Sequence, residues 1–204
     1  MKFNWGYLFG MALQTVPEPR KVAREVQGLG YPRRVLWQAL GLLLVAGTFL
    51  AVIGSILFPV DPETAGALFA DPILTGIAQA TVSVLTVFGI YWIGRVLGGT
   101  GSFDQALLTV IWLQFVLLII ELGVVFLGVF APGLALILWV MGMVMTFWIL
   151  SHFIAEMHGF RSAGAVFGGI FLVLIMFAVA MSIVFSLLGI GANFGTGTAG
   201  LGEF

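Results

Sequence analysis

Five apolar runs divide the chain: Val35 to Phe58, Ile73 to Leu97, Phe103 to Leu127, Pro132 to Phe153 and Ala163 to Gly189. Each reaches the roughly 20 residues a helix needs to cross about 30 Å of hydrocarbon. The pattern predicts an all-α polytopic membrane protein with five transmembrane helices. Polar and breaker residues fall where such helices begin and end. Pro59 and Pro62 stop the first, and Asp71-Pro72 offers an N-cap followed by a proline at the first helical position of the second. Ser102-Phe103-Asp104-Gln105 has capping-box spacing, Pro132 opens the fourth run, and Ser162 is placed to cap the fifth.

The segment before the first run has a different pattern. Phe3, Trp5, Tyr7, Leu8, Phe9, Met11 and Leu13 make it too apolar for a free tail, and it is too short to span. It reads as an interfacial helix, continued by a weaker amphipathic stretch with Val22, Val26 and Leu29 on one face and Arg20, Lys21 and Arg24 on the other. The organisation expected is therefore an interfacial segment over 1–34, a five-span domain over 35–189 and a tail over 190–204. The tail's "GIGANFGTGTAGLGEF" is glycine-rich and of low complexity, as disordered segments are.

Charge orients this layout. Lys2, Arg20, Lys21, Arg24, Arg33 and Arg34 precede the first span, Arg95 ends the second, and Arg161 lies between the fourth and fifth. The loop from Pro59 to Pro72 carries Asp61, Glu63 and Asp71 with no basic residue, and the tail after Gly189 has only Glu203. All eight basic residues thus fall on one side of five spans, the side the positive-inside rule assigns to the cytoplasm. The expectation is an N-terminus inside and a C-terminus outside. Basic residues there can also hold anionic lipid headgroups. No short apolar segment with a small-residue cleavage site precedes the first span, so that span is expected to stay in the chain.

Composition agrees and removes several chemistries. Of 204 residues 61% are hydrophobic and 8% charged, with a mean hydropathy of +1.16, against roughly 25% charged in soluble domains. With no cysteine, disulfides, thiolate metal sites and cysteine nucleophiles are all excluded. The net charge of −1 names no polyanion, and no nucleic acid is expected as a partner.

Two stretches look like sites and read otherwise. In "ILSHFIAEMHGF", His152 and Glu156 are four apart and share a helix face, but His158 is turned roughly 200° from Glu156. The H-E-x-x-H spacing is absent, so no metal is expected, and the stretch reads as polar residues at a helix end. Ser151 and His152 are adjacent, about 100° apart on a helix, which is poor geometry for a nucleophile and its base. The run "GGTGSF", Gly98 to Phe103, lacks the Lys-Ser/Thr of a phosphate loop and reads as a flexible hairpin turn. No cofactor is expected. Gly94-x-x-x-Gly98 and Gly164-x-x-x-Gly168 are small-residue pairs that allow close helix approach.

The intramembrane polar residues carry more weight. Glu121 lies about six residues, roughly 9 Å, inside the outer end of the third span, and a carboxylate there is a functional hypothesis in its own right. Gln114 is seven residues earlier on nearly the same face. In the antiparallel second span Gln79 should match the depth of Glu121 and Thr86 that of Gln114, with Ser83 continuing the Gln79 face, and Ser182 of the fifth span falls near Glu121. Glu121, Gln114, Gln79, Ser83, Thr86 and Ser182 form a candidate hydrogen-bonded cluster, read either as a proton or solute relay or as polar contacts that pair helices.

Laying Gly101-Ser102-Phe103-Asp104-Gln105-Ala106-Leu107 beside Gly159-Phe160-Arg161-Ser162-Ala163-Gly164-Ala165 suggests tandem membrane hairpins. With five spans behind an N-terminal segment, "GGTGSFDQAL" entering the third and "HGFRSAGAV" entering the fifth, the chain resembles the Yip domain family, named for proteins interacting with Ypt/Rab GTPases, and in particular its bacterial members. The resemblance covers roughly Val35 to Gly189; in eukaryotes such proteins are implicated in vesicle trafficking and membrane shaping without catalysis, and a bacterial member would have no vesicle pathway or Rab partner of that kind. The resemblance implies a bacterial inner membrane as location, with membrane lipids and a membrane-protein partner or a second copy of the chain as partners. The function expected is a non-enzymatic membrane protein. The alternatives are a small transporter or channel, proton-linked through Glu121, or an accessory subunit of a larger complex.

Overall fold

A computed structural model describes residues 5–59 and 71–187. Lys2, most of the acidic loop, including Asp61 and Glu63, and the glycine-rich tail lie outside the described residues. Seven helices and no strand are present among the described residues: α1 (Trp5–Gln14), α2 (Pro19–Gln27), α3 (Arg33–Leu57), α4 (Pro72–Val96), α5 (Phe103–Phe130), α6 (Pro132–His158) and α7 (Ala163–Leu187). The last five are long and apolar enough to cross a membrane. The protein is a multi-pass membrane protein.

The expected boundary chemistry is present. Asp71 Oδ1 accepts from the amides of Ile73 at 2.8 Å and Leu74 at 3.2 Å. Ser102 and Gln105 form a reciprocal capping box, and Ser162 Oγ accepts from the amide of Ala165 at 3.2 Å. Both basic-end turns close alike. Gly98 and Gly159 take positive φ of 86° and 72°, and the next amides, Gly99 and Phe160, each donate five residues back, to Gly94 and Ala155, at 2.8 Å. The equivalent positions are Gly98 with Gly159 and Ser102 with Ser162. The alignment read from sequence, which set Gly101 beside Gly159, is out of register because the second turn is one residue shorter.

The core of the first compact unit, residues 1–166, sits toward the basic end. All buried residues of α5 lie between Ala106 and Val116, and those of α6 lie between Ile149 and His158 except Ala135 and Gly142. The N-terminal segment, expected as one interfacial helix with a weak continuation, is two helices, and the second is packed into this core. Val22 and Ala23 are fully buried, and Val26 nearly so. Gln27 Nε2 donates to Thr109 Oγ1 at 3.0 Å and to the Phe153 carbonyl at 3.1 Å, Trp112 Nε1 donates to Thr15 Oγ1 at 3.0 Å, and Arg24 pairs with Glu156 at 3.0 Å. These bonds tie the arm to α5 and α6.

The α5–α6 turn at Ala131 marks the opposite edge of the spans. Counting about 20 residues, one hydrocarbon thickness, from that edge ends near Trp37 on α3, Trp92 on α4 and His152 on α6. Trp37, Tyr91 and Trp92 gather near Phe103 at the basic end, as aromatic residues do at a membrane–water boundary, while Trp112 and Trp148 lie deeper along α5 and α6. Phe103 staples three helices there. Its ring lies 6.4 Å from Trp37, 5.3 Å from Phe88 and 5.7 Å from Tyr91, with the Arg33 guanidinium 5.0 Å from its centroid. The apolar remainder of α7, Phe167 to Leu187, belongs to a second unit.

Candidate functional site

α4 and α5 meet along a narrow seam. On α4 the buried positions are Gly76, Ser83, Val87, Ile90 and Gly94, the near-sevenfold spacing of a helix seam. Ser83 and Gln114 face each other across it. Gln114 Nε2 donates to Ser83 Oγ at 2.6 Å, Ser83 Oγ donates to the Gln79 carbonyl at 2.7 Å, and Gln79 Nε2 donates to Gln114 Oε1 at 3.2 Å. The ring closes through the Gln79 backbone carbonyl, and the Gln114 amide and the Ser83 hydroxyl are answered within the protein.

Glu121 stands beside this ring and not in it. Its carboxylate makes no hydrogen bond or ion pair with a described residue. A Cβ built on Gly47 of α3 would lie 3.7 Å from Glu121 Oε2 and 3.9 Å from Gln79 Nε2, so α3, α4 and α5 converge at that glycine. Gly47 carries no chemistry of its own and was not singled out from sequence. Thr86 does not join the ring. It donates to the Val82 carbonyl of its own helix at 2.7 Å, because Val87, fully buried, takes the seam position one turn beyond Ser83. Ser182 belongs to the second unit, on α7.

As a path for protons the cluster is interrupted. One turn toward the basic end from Ser83 and Gln114, the seam is filled by Val87 and Val110, 0% and 1% exposed. The polar groups resume only at Thr109, which donates to the Gln105 carbonyl at 2.9 Å, and at His158. What the arrangement does physically is pair α4 with α5 in one register.

The second polar centre reads from sequence as a helix end and, apart from it, one flexible hairpin turn. His158 is 3% exposed. Its Nε2 contacts the Ile90 carbonyl at 3.1 Å and its Nδ1 accepts from the Gly101 amide at 3.2 Å. A carbonyl only accepts and an amide only donates, so the proton is on Nε2 and the ring is the neutral tautomer. The Thr100 amide bonds the His158 carbonyl at 3.4 Å, and Phe160 stacks on the ring at 5.5 Å. A Cβ on Gly94 or Gly99 would overlap the imidazole, and one on Gly101 would lie 3.0 Å from it. These glycines make room for a ring, a role beyond turn flexibility that Gly98 and Gly159 do fulfil. "GGTGSF" and "HGF" are the two halves of one joint. The signal that would have found it is three small residues opposite one histidine across two hairpin turns.

The remaining candidates separate. Glu156 pairs with Arg24, His152 Nδ1 meets the Trp148 carbonyl at 2.8 Å, and Ser151 Oγ donates to that same carbonyl at 3.1 Å. His152, Glu156 and His158 thus have three different partners, and Ser151 does not address His152.

Compared with known proteins, residues 13–183 match the model of the Yip1 domain. No curated protein matches the chain, and no solved structure does.

Proposed function

The chain belongs to the Yip1 domain family, and we propose that it works as a non-enzymatic membrane protein, through protein partners or by organising the surrounding membrane. The observation that carries this is the N-terminal arm. α2 is locked to the bundle, while α1 leaves Phe9 and Leu13, at i and i+4, and the turn after it leaves Val16 half or more exposed, an apolar edge suited to lying in an interface or under a partner. In this reading the basic end faces the cytoplasm, the C-terminus lies outside, and the membrane is a bacterial inner membrane. The seven basic residues gathered at one end of the described chain support the orientation, and the family's bacterial branch is the setting the sequence favours.

The test is purification from native membrane in mild detergent. The wild type should carry a protein partner or a second copy, and Phe9→Glu with Leu13→Glu should lose it while keeping its thermal unfolding. Recovery of monomer alone, together with no effect on vesicle shape after reconstitution, would overturn the reading. A transporter or channel is the second reading, motivated by Glu121, whose carboxylate has no partner among the described residues. It requires reconstituted flux that falls in Glu121→Gln, and the buried Val87 and Val110 weigh against it.

A further inference from the structure

An open groove of about 340 Å³ lies between the α1–α2 turn and α6, with Glu18, Arg20 and Lys21 on one wall and Trp148 and His152 on the other. We propose that it binds the phosphodiester headgroup of an anionic phospholipid.

Position is the first argument. His152 lies about one hydrocarbon thickness from Pro132, so Trp148, 41% exposed, sits just within the apolar layer and the charged wall just outside it. An indole at that boundary is the usual companion of a lipid's glycerol region.

Charge is the second. Arg20 and Lys21 bring two positive charges and Glu18 one negative, leaving one in excess. Glu18 is already engaged by Lys21 at 2.9 Å and by Gln14 at 2.7 Å. Arg24 and Arg33 are neutralised by Glu156 and Asp104, whereas Arg20 meets no carboxylate among the described residues. Its Nη2 donates to the carbonyls of Phe160 at 3.4 Å and Arg161 at 3.0 Å. Those neutral acceptors fix the guanidinium without cancelling its charge, and the remaining N–H groups suit a phosphate's paired oxygens. A phosphodiester carries the single negative charge that balances the groove.

His152 completes the wall. Its Nδ1–H is spent on the Trp148 carbonyl, its ring packs on the indole at 4.2 Å, and Nε2, the acceptor nitrogen of that tautomer, is left for a hydroxyl of a glycerol headgroup beside the phosphate. The inference rests on the basic end lying at a membrane surface and on no protein partner, so its failure leaves the partner reading standing.

The full-length protein in phosphatidylcholine nanodiscs would be titrated with phosphatidylglycerol, and bound lipid counted by native mass spectrometry. Phosphatidylglycerol should be retained over phosphatidylcholine, and Arg20→Gln should weaken it about fivefold, the effect of one basic residue at an anionic surface. Because Arg20 also holds the α6–α7 turn, Trp148→Ala and His152→Gln serve as second variants and should lower retention with thermal unfolding unchanged. Equal retention of both lipids, or variants that all bind like wild type, overturns the proposal. So does displacement of the lipid by inorganic phosphate, which would make the groove a site for soluble phosphate.

Discussion

Replacing His158 with alanine takes away a buried ring that serves α4, the α4–α5 turn and α6 together. The Gly101 amide loses its acceptor, a penalty of about 1–3 kcal/mol for a buried donor left unmade. Truncating a packed ring adds about 2–4 kcal/mol for the cavity. The two overlap, so His158→Ala should destabilise by about 3–5 kcal/mol. Gly94→Ala perturbs the same place from the other side. With the ring present, its Cβ overlaps the imidazole, and overpacking at about 1–3 kcal/mol outweighs or cancels the roughly 1 kcal/mol that alanine gains over glycine in a helix. With the ring gone, that methyl enters the vacated space and the helix gain remains. Gly94→Ala should therefore be neutral to destabilising in the wild type and should stabilise His158→Ala, a coupling of about 1–3 kcal/mol. Unfolding of the four proteins in detergent, followed by near-ultraviolet circular dichroism, measures the cycle. If Gly94→Ala has the same effect in both backgrounds, the ring does not occupy the glycine nest and the joint is misassigned.

Gly159→Ala places a side chain at φ 72° and should cost about 1–2 kcal/mol, whereas Gly10→Ala, helical and with nothing near its Cβ, should be neutral or stabilising by the same unfolding measurement. Gln114→Leu leaves Ser83 and Gln79 without their shared partner and should destabilise by about 1 kcal/mol, the usual size of an interhelical polar contact in a membrane; no change in unfolding would remove the ring's role in pairing α4 with α5. Hydrogen bonding from Lys21, then from Gln14, holds the Glu18 carboxyl below the ordinary carboxylate range. A depressed carboxylate stabilises the fold above its unfolded pKa and loses that contribution as pH falls through the folded value. Protection of the amides from Glu18 to Val22, taken relative to their intrinsic exchange at each pH, should fall on acidification into and below the ordinary carboxylate range, whereas Glu18→Gln should already lack that increment at neutral pH and show no such step.

The parts legible in the sequence are those determined within one helix or one turn. Apolar run length located the five spans to within a few residues at most ends. Asp71, Ser102 with Gln105, and Ser162 marked starts because an N-cap is a contact between near neighbours. Residue facing across helices was harder. Equal-depth counting set Thr86 opposite Gln114, but a glutamine amide extends along the axis, and the seam chooses Ser83 with Val87 next, which turns Thr86 aside. Thr15 with Trp112, and His158 with Gly94, Gly99 and Gly101, were out of reach altogether. Each depends on how one hairpin or arm lies against another, and apolar periodicity does not specify that.

That blind spot has a physical cause in the bilayer itself. Lipid tails are as apolar as leucine, so burying α4 against α5 gains little from hydrophobicity, and helix order must be written in close packing and polar contacts. Three such marks lie along this bundle. At the basic end, the His158 ring in its glycine nest fixes α6 against the α4–α5 turn. Mid-seam, the Gln79–Ser83–Gln114 ring fixes α4 against α5. Toward the opposite end, Gly76 admits Thr48 of α3 so closely that a Cβ there would overlap it, and Gly47 admits Glu121. Each mark joins a different pair of elements, so together they select one arrangement of helices α3 to α6 from several that would bury similar apolar area. In that arrangement Glu121 packs against Gly47 through shape alone, its carboxylate making no hydrogen bond or ion pair with a described residue. It is therefore the residue at which a function beyond pairing would first be seen, and Glu121→Gln should leave unfolding nearly unchanged whether or not it alters activity.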